Sequence, residues 1–373
     1  MASHRIGARL SGLSPEQLVA FIDEQAPLWS AAALRVAEEH AARLVEQPEW
    51  VLSEVLLSPD LVPHILAQLP TKEHAVKGTC RAWRRGWKET LKKRERPRLL
   101  VFGGHDTDGS VLSSLERYDP AENTWGREAM APMPTARRDV SMAVFDSKLY
   151  TVGGQRADLT LSASAERYDF ASKAWENMAP MAAARTLLGV AVLDGKLYAV
   201  GGRGRGYLKS VERYDPATDA WESVAAMSTV RCCFGVAALE GKLYAVGGLV
   251  GDASVERYDP ALNAWETVAP MAQSRANLAV AVLDGKLYAV GGFDGVGRLN
   301  SVERYDPAQD AWEAVAPMAR VRQAHGVAVL DGKLYAVGGS LTSSVERYDP
   351  AANAWELVAP MTVGRRDPYV AHG

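Results

Sequence analysis

Repetition constrains this chain more than any other feature of it. The string VAVLDGKLYAVGG stands at residues 190–202, 280–292 and 327–339, letter for letter. It is the best-kept part of a unit written six times. A Gly-Gly pair begins at Gly103, Gly153, Gly201, Gly247, Gly291 and Gly338, at steps of 50, 48, 46, 44 and 47 residues. Each pair is followed by an acidic-basic-Tyr-Asp string starting at Glu116, Glu166, Glu212, Glu256, Glu303 or Glu346. Seven residues beyond each Tyr stands a Trp, at 125, 175, 221, 265, 312 and 355. A Met comes next, and four residues after it an Arg: Arg137, Arg185, Arg231, Arg275, Arg322 and Arg365. A period of this length marks a supersecondary unit that cannot bury its own apolar surface and stacks on its neighbours.

Within a unit the strands are legible. GVAVL is apolar and β-branched, a buried strand. Asp-Gly supplies the hairpin turn because both residues tolerate positive φ. LYAVGG is a second strand ending in glycines, where the backbone turns tightly. SVERYDP is a third, its Val and Arg alternating with Glu and Tyr, and Asp-Pro stops it. AWETVAPM and its variants form a fourth. Four antiparallel strands repeated radially make a β-propeller blade, and six copies predict six blades. Tyr and Trp then pack on the adjacent blade, each burying on the order of 150–250 Å². The recurring Gly-Gly, Tyr-Asp-Pro, Trp and Met-x-x-x-Arg signature resembles the kelch repeat over about residues 97–373. The expected fold is an all-β six-bladed kelch β-propeller (residues 96–373) with an N-terminal α-helical region.

The first copy lacks a strand, because only RPRLLVF precedes Gly103. RRDPYVAHG (365–373) aligns with RRDVSMAVF (137–145), so the C-terminal strand 365–373 is expected innermost in the first blade, removing free sheet edges. Tyr369 stands where the other copies have Ser141, Gly189, Gly235, Ala279 or Gly326, and Pro368 before it cannot donate to a ladder. The seam is expected to be the least regular part of the ring.

Residues 1–56 read as a helical segment with no assignable role. Residues 57–95 are more specific. Ser58 and Pro59 start an amphipathic helix carrying Leu61, Val62, Ile65, Leu66 and Leu69 on one face, and Pro70 ends it. A further helix puts Cys80 and Trp83 in its apolar stripe. Leu57, Leu61, Ile65, Leu66, Leu69, Pro70, Cys80 and Trp83, with Arg81 and Arg84, resemble an F-box, although Ser58 and Thr79 replace its usual Pro and Val. A plain helical cap, or a segment similar to the BACK region between BTB and kelch domains, is the alternative. The run 81–98 holds nine Lys/Arg against two Glu and reads as a solvated helical face.

Taken together, the two resemblances imply an F-box–kelch protein. Such proteins are substrate-recognition adaptors of SCF-type cullin-RING ubiquitin ligases. The F-box would dock a Skp1-like adaptor and its cullin complex, and the propeller would hold the protein to be ubiquitinated. A kelch interaction scaffold outside any ligase, for example a cytoskeletal binder, is the alternative. No enzyme is expected, since no nucleophile elbow, phosphate loop or paired-acid motif occurs. No cofactor or metal is expected either, because no CxxC or HxxxH spacing occurs and the propeller has only His105, His325 and His372. The net charge of −3 provides no general attraction to nucleic acid or membrane. With three cysteines forming no framework and no signal-like N-terminus, an intracellular protein, cytoplasmic or nuclear, is expected.

Near-identical strands cannot carry specificity. The segments between Gly-Gly and the next Glu do differ, running 11, 11, 9, 7, 10 and 6 residues, and loops on a rigid scaffold carry binding residues. His105, Arg156, Arg203, Arg205, Tyr207, Phe293 and Arg298 are therefore the candidate target-binding residues. Their arginines suit an acidic or phosphorylated segment. The six Arg after Met are expected to pair internally with the six Glu, because buried charges are paired.

Overall fold

In a computed structural model of the protein, residues 98–372 are described, apart from 106–113, 129–130, 250 and 341. They belong to one unit, Pro97–Gly373. The helical readings of 1–56 and 57–95 lie outside the described residues.

Six four-stranded antiparallel sheets form six blades. The third illustrates the plan: Gly189–Leu193 innermost, then Lys196–Val200, Val211–Asp215 and, outermost, Ala220–Val224. In the third blade Asp194 and Gly195 make the first turn with φ of 50° and 71°, which is why Asp-Gly recurs there. The innermost strands touch in sequence around the ring, and the last blade's touches the chain-terminal strand. That terminal strand, Tyr369–His372, pairs antiparallel with Leu99–Phe102. The first blade therefore takes its innermost strand from the end of the chain and its other three from the beginning.

Glycine heads the inner strand in three of the six blades, and there close packing requires it. A Cβ on Gly189, Gly235 or Gly326 would lie 2.1, 2.1 and 2.2 Å from a Val Cγ2 of the next blade. Tyr369 holds this position in the first blade, where its ring packs against Phe102 and its hydroxyl accepts the Val144 amide of the second blade at 3.1 Å.

The core is divided among the blade interfaces. Six buried hydrophobic clusters each take residues from two consecutive blades. Tyrosines interleave there: Tyr198 meets Tyr258 with centroids 5.9 Å apart, and Tyr118 meets Tyr335 at 5.8 Å across the seam. Each Trp indole donates to a carbonyl of the preceding blade, as Trp221 does to Ala179 and Trp125 to Ala359, at 2.8 and 2.7 Å. A blade alone would expose both faces of its sheet, so the repeat unit is stable only within the ring.

The Met-x-x-x-Arg arginines do pair internally. Arg185–Glu212, Arg231–Glu256, Arg275–Glu303 and Arg322–Glu346 approach to 2.6, 3.1, 3.0 and 2.9 Å. Arg137 meets Glu166 at 3.2 Å, and Arg365 meets Glu116 at 2.8 Å across the seam. All six guanidinium side chains are fully buried.

Candidate functional site

Antiparallel strands place all turns of one kind at the same end of the ring. The Asp-Gly and Asp-Pro turns share one face. The Gly-Gly loops and the segments carrying Met-x-x-x-Arg share the other.

On the turn face the repeated cations are neutralised within the blade. Lys196–Asp215, Lys242–Asp259 and Lys286–Asp306 are 2.8, 2.6 and 2.7 Å apart. Lys148–Asp169, Lys333–Asp349 and Arg98–Asp119 complete the set.

On the loop face the base of each loop is fixed and its tip varies. The buried arginine pins the base. Arg231 Nη1 donates to the carbonyls of Gly247 and Ser254 at 2.7 and 3.0 Å, while Glu256 accepts its Nη2 and the Ser228 amide. The residue after the arginine also pairs with the residue after Gly-Gly, as in Thr186–Arg203, Ala276–Phe293, Arg138–Gln155 and His105–Arg366. One position further on, the backbone forms the inner rim. Asp139, Leu187, Cys233, Asn277, Ala324 and Asp367 all have φ between 50° and 57°. Amides of Cys233, Asn277, Ala324 and Asp367 donate to the preceding rim carbonyl at 2.7–3.3 Å, linking blade to blade.

Cations outside any ion pair among the described residues stand on this framework. Arg156, Arg203, Arg205, Lys209, Arg298 and Arg320 are exposed, and none has an ion pair among the described residues. Large apolar side chains lie beside them: Leu159, Tyr207, Val296 and Val321 are 61, 54, 94 and 50% exposed, and Val230 is also exposed. Isolated cations interleaved with exposed apolar and aromatic groups are the composition of a protein-binding surface.

The predicted target-binding residues all lie on this face. Arg203, Arg205 and Tyr207 share one tight loop closed by an Arg203–Tyr207 bridge, and Phe293 and Arg298 close another. Arg156 tips a third, and His105 lies at the seam. Phe293 and His105 are only partly exposed. Val230, Arg320 and Val321 were not singled out from sequence. Their signal was available: they are the residues that vary just before the buried arginine. The adaptor-binding candidates Leu57, Leu61, Ile65, Leu66, Leu69, Pro70, Cys80 and Trp83 lie outside the described residues.

At the seam, donor atoms of His105, Asp139 and Asp367 lie within 4.8 Å of one another, an arrangement able to hold a cation. Burial, reinforced by Asp139, pushes the Asp367 carboxyl above its usual range against the pull of Arg366. Each carboxylate already has a guanidinium beside it: Arg138 at 4.0 Å from Asp139 and Arg366 at 3.3 Å from Asp367.

Comparison with known proteins agrees with this architecture. A family profile described as the KLHDC2/KLHL20/DRC7 Kelch-repeats domain matches residues 64–248, and the Kelch motif matches 231–272, 274–319 and 322–362. Human Kelch-like protein 33 is 37% identical over 79 residues, which is 21% of this chain and 14% of that protein. Kelch-like protein 15 of Gallus gallus is 38% identical over 73 residues, 20% of this chain and 14% of that protein. The matched stretch thus spans about one-seventh of these relatives' length. The solved structure of YjhT superimposes with a TM-score of 0.58 at 15% identity, over 65% of this chain and 89% of that one, a likeness of fold. With six blades closed at the seam and the repeat signature in each, this chain is a kelch-repeat protein, a propeller of the kind that serves protein–protein interaction.

Proposed function

We propose that the loop face captures an acidic or phosphorylated segment of a target protein. We further propose that the chain is the substrate-recognition adaptor of an SCF-type cullin-RING ubiquitin ligase, docking a Skp1-like adaptor through residues 57–95. The observation that carries the first part is the contrast between the two faces. Each blade pairs its repeated cation with an Asp on the turn face, whereas six cations on the loop face have no ion-pair partner among the described residues. Arginine binds carboxylate or phosphate through a planar fork, and Tyr207, Val296 and Val321 supply apolar contact beside it. The chain does no chemistry in this reading; it holds one protein near another. The resemblance of residues 57–95 to an F-box supports the second part.

Retention of a phosphopeptide library by the immobilised full chain tests the first part. Arg203→Glu with Arg205→Glu is expected to reduce retention at least tenfold with the melting temperature unchanged, and undiminished retention refutes the reading. Co-purification with a Skp1-like adaptor tests the second, with Leu66→Asp plus Leu69→Asp expected to abolish it. A chain that binds phosphopeptides but never the adaptor is a kelch scaffold outside any ligase, the reading favoured by the kelch profile's reach back to residue 64.

A further inference from the structure

Cys232 and Cys233 are free, adjacent and on the inner rim of the loop face. The repeat gives an internal control for why they are there. The five equivalent residue pairs are Arg138-Asp139, Thr186-Leu187, Ala276-Asn277, Gln323-Ala324 and Arg366-Asp367. Packing therefore does not demand sulfur at either position. Cys233 is partly exposed, while Cys232 is 4% exposed. The backbone between them is held: the Cys233 amide donates to Leu187 at 3.3 Å and its carbonyl accepts from Asn277 at 2.7 Å. The neighbouring Cys233 thiol, with help from Arg203, draws the Cys232 thiol below its ordinary value; the Cys232 thiol beside it, then burial and the Asp367 and Asp139 carboxylates, pushes Cys233 up. A nearby guanidinium is an environment in which a thiol becomes a nucleophile.

We infer that Cys232 and Cys233 form a redox-active dithiol, oxidised by a low-molecular-weight disulfide to a disulfide between neighbours. The small disulfide meets Cys233, the more exposed sulfur. Cys233 gives its proton to water and attacks one sulfur of the small disulfide. A protein–small-molecule disulfide forms, the small disulfide's own bond breaks, and the departing thiolate takes the proton from Cys232. The Cys232 thiolate then attacks the Cys233 sulfur and expels the second small thiolate, which is protonated by water. The protein loses two hydrogens and two electrons, and the small disulfide becomes two thiols. Neighbouring Cα atoms across a trans peptide are about 3.8 Å apart, short of the roughly 4.4–6.8 Å an unstrained disulfide spans. The product is therefore strained and readily reduced, a reversible switch and not a structural staple. The pair lies beside Arg203, so its effect on target capture rests on the loop-face reading, while the thiol chemistry does not.

The test incubates the full chain with rising ratios of oxidised to reduced glutathione, alkylates it, and weighs the tryptic peptide CCFGVAALEGK, residues 232–242. The expected peptide is lighter by two hydrogens, unalkylated, and restored by dithiothreitol. Cys232→Thr carries the residue the fold already buries at Thr186 and is expected to stop with one glutathione on Cys233. Two alkylated thiols at the most oxidising ratio overturn the inference. So does a wild-type chain that stops at the mixed disulfide or links to Cys80. Phosphopeptide retention before and after oxidation is expected to fall several-fold. Unchanged retention refutes the effect on capture, whereas oxidation with no retention in either state refutes the loop-face reading and leaves the dithiol standing.

Discussion

At the scale of single residues, the buried arginines are costly to replace, because each faces a buried carboxylate. Burial draws the Arg275 and Arg322 guanidinium groups down from their ordinary value, and the facing carboxylate opposes this. Arg275 also donates to the carbonyls of Gly291 and Ser301 at 2.8 and 2.9 Å. Arg275→Ala would leave Glu303 buried without its counter-charge and is expected to cost about 3–5 kcal/mol in urea unfolding. His325 is the opposite case. Both its ring nitrogens are buried without a hydrogen-bond partner, and burial, then Arg322, lowers its pKa to about 3. The unfolded chain takes up this proton near its ordinary value of about 6.5. Stability therefore falls as pH drops from there, and this contribution levels off below the folded value. His325→Leu, matching Leu188 and Leu278, is expected to be more stable at neutral pH. Its advantage should widen by roughly 2–3 kcal/mol on going from about pH 7 to about pH 4.5. A constant difference between the two denaturation curves across that range would refute this account.

At the scale of the element, the turn between third and outer strands is a joint between blades. Asn263 Oδ1 accepts the Tyr258 hydroxyl of its own blade and the Ala225 amide of the preceding one, both at 2.9 Å. Asp310 does the same for Tyr305 and Ala269. The second blade has Lys173 there, at a φ of 54°. Lysine lacks the acceptor and is strained in the left-handed region, by about 1–2 kcal/mol. Lys173→Asn is expected to raise stability by roughly 1 kcal/mol, read as an increase in melting temperature. The four strands of the blade were legible because alternation, Asp-Gly and Asp-Pro are local signals. The partners of each turn were not, because they belong to a neighbouring blade some forty residues away.

At the scale of the whole molecule, the ring depends on its last strand. Removing 365–373 takes away the pairing with Leu99–Phe102 and also the Arg365–Glu116 pair. It uncovers a sheet edge and takes Val370 and Tyr369 out of two interface cores. The truncated chain is expected to lose cooperative thermal unfolding. A truncation melting like the full chain would show that the ring does not need its seam.

By itself the sequence determined the blade, the number of copies and the strand missing from the first of them. Each is written in residues whose reasons are local or repeat at a fixed period. Tertiary structure decided which charges are used up and which are left over. Arg275 and Arg203 are alike as letters, but one is buried against Glu303 and the other stands in solvent above a closed rim. That difference arises only when six blades meet, because a carboxylate distant in sequence or a neighbouring sheet must arrive before a cation is satisfied or left bare. The rim that gathers Cys233, Asp139 and Asp367 exists for the same reason, as a product of closure.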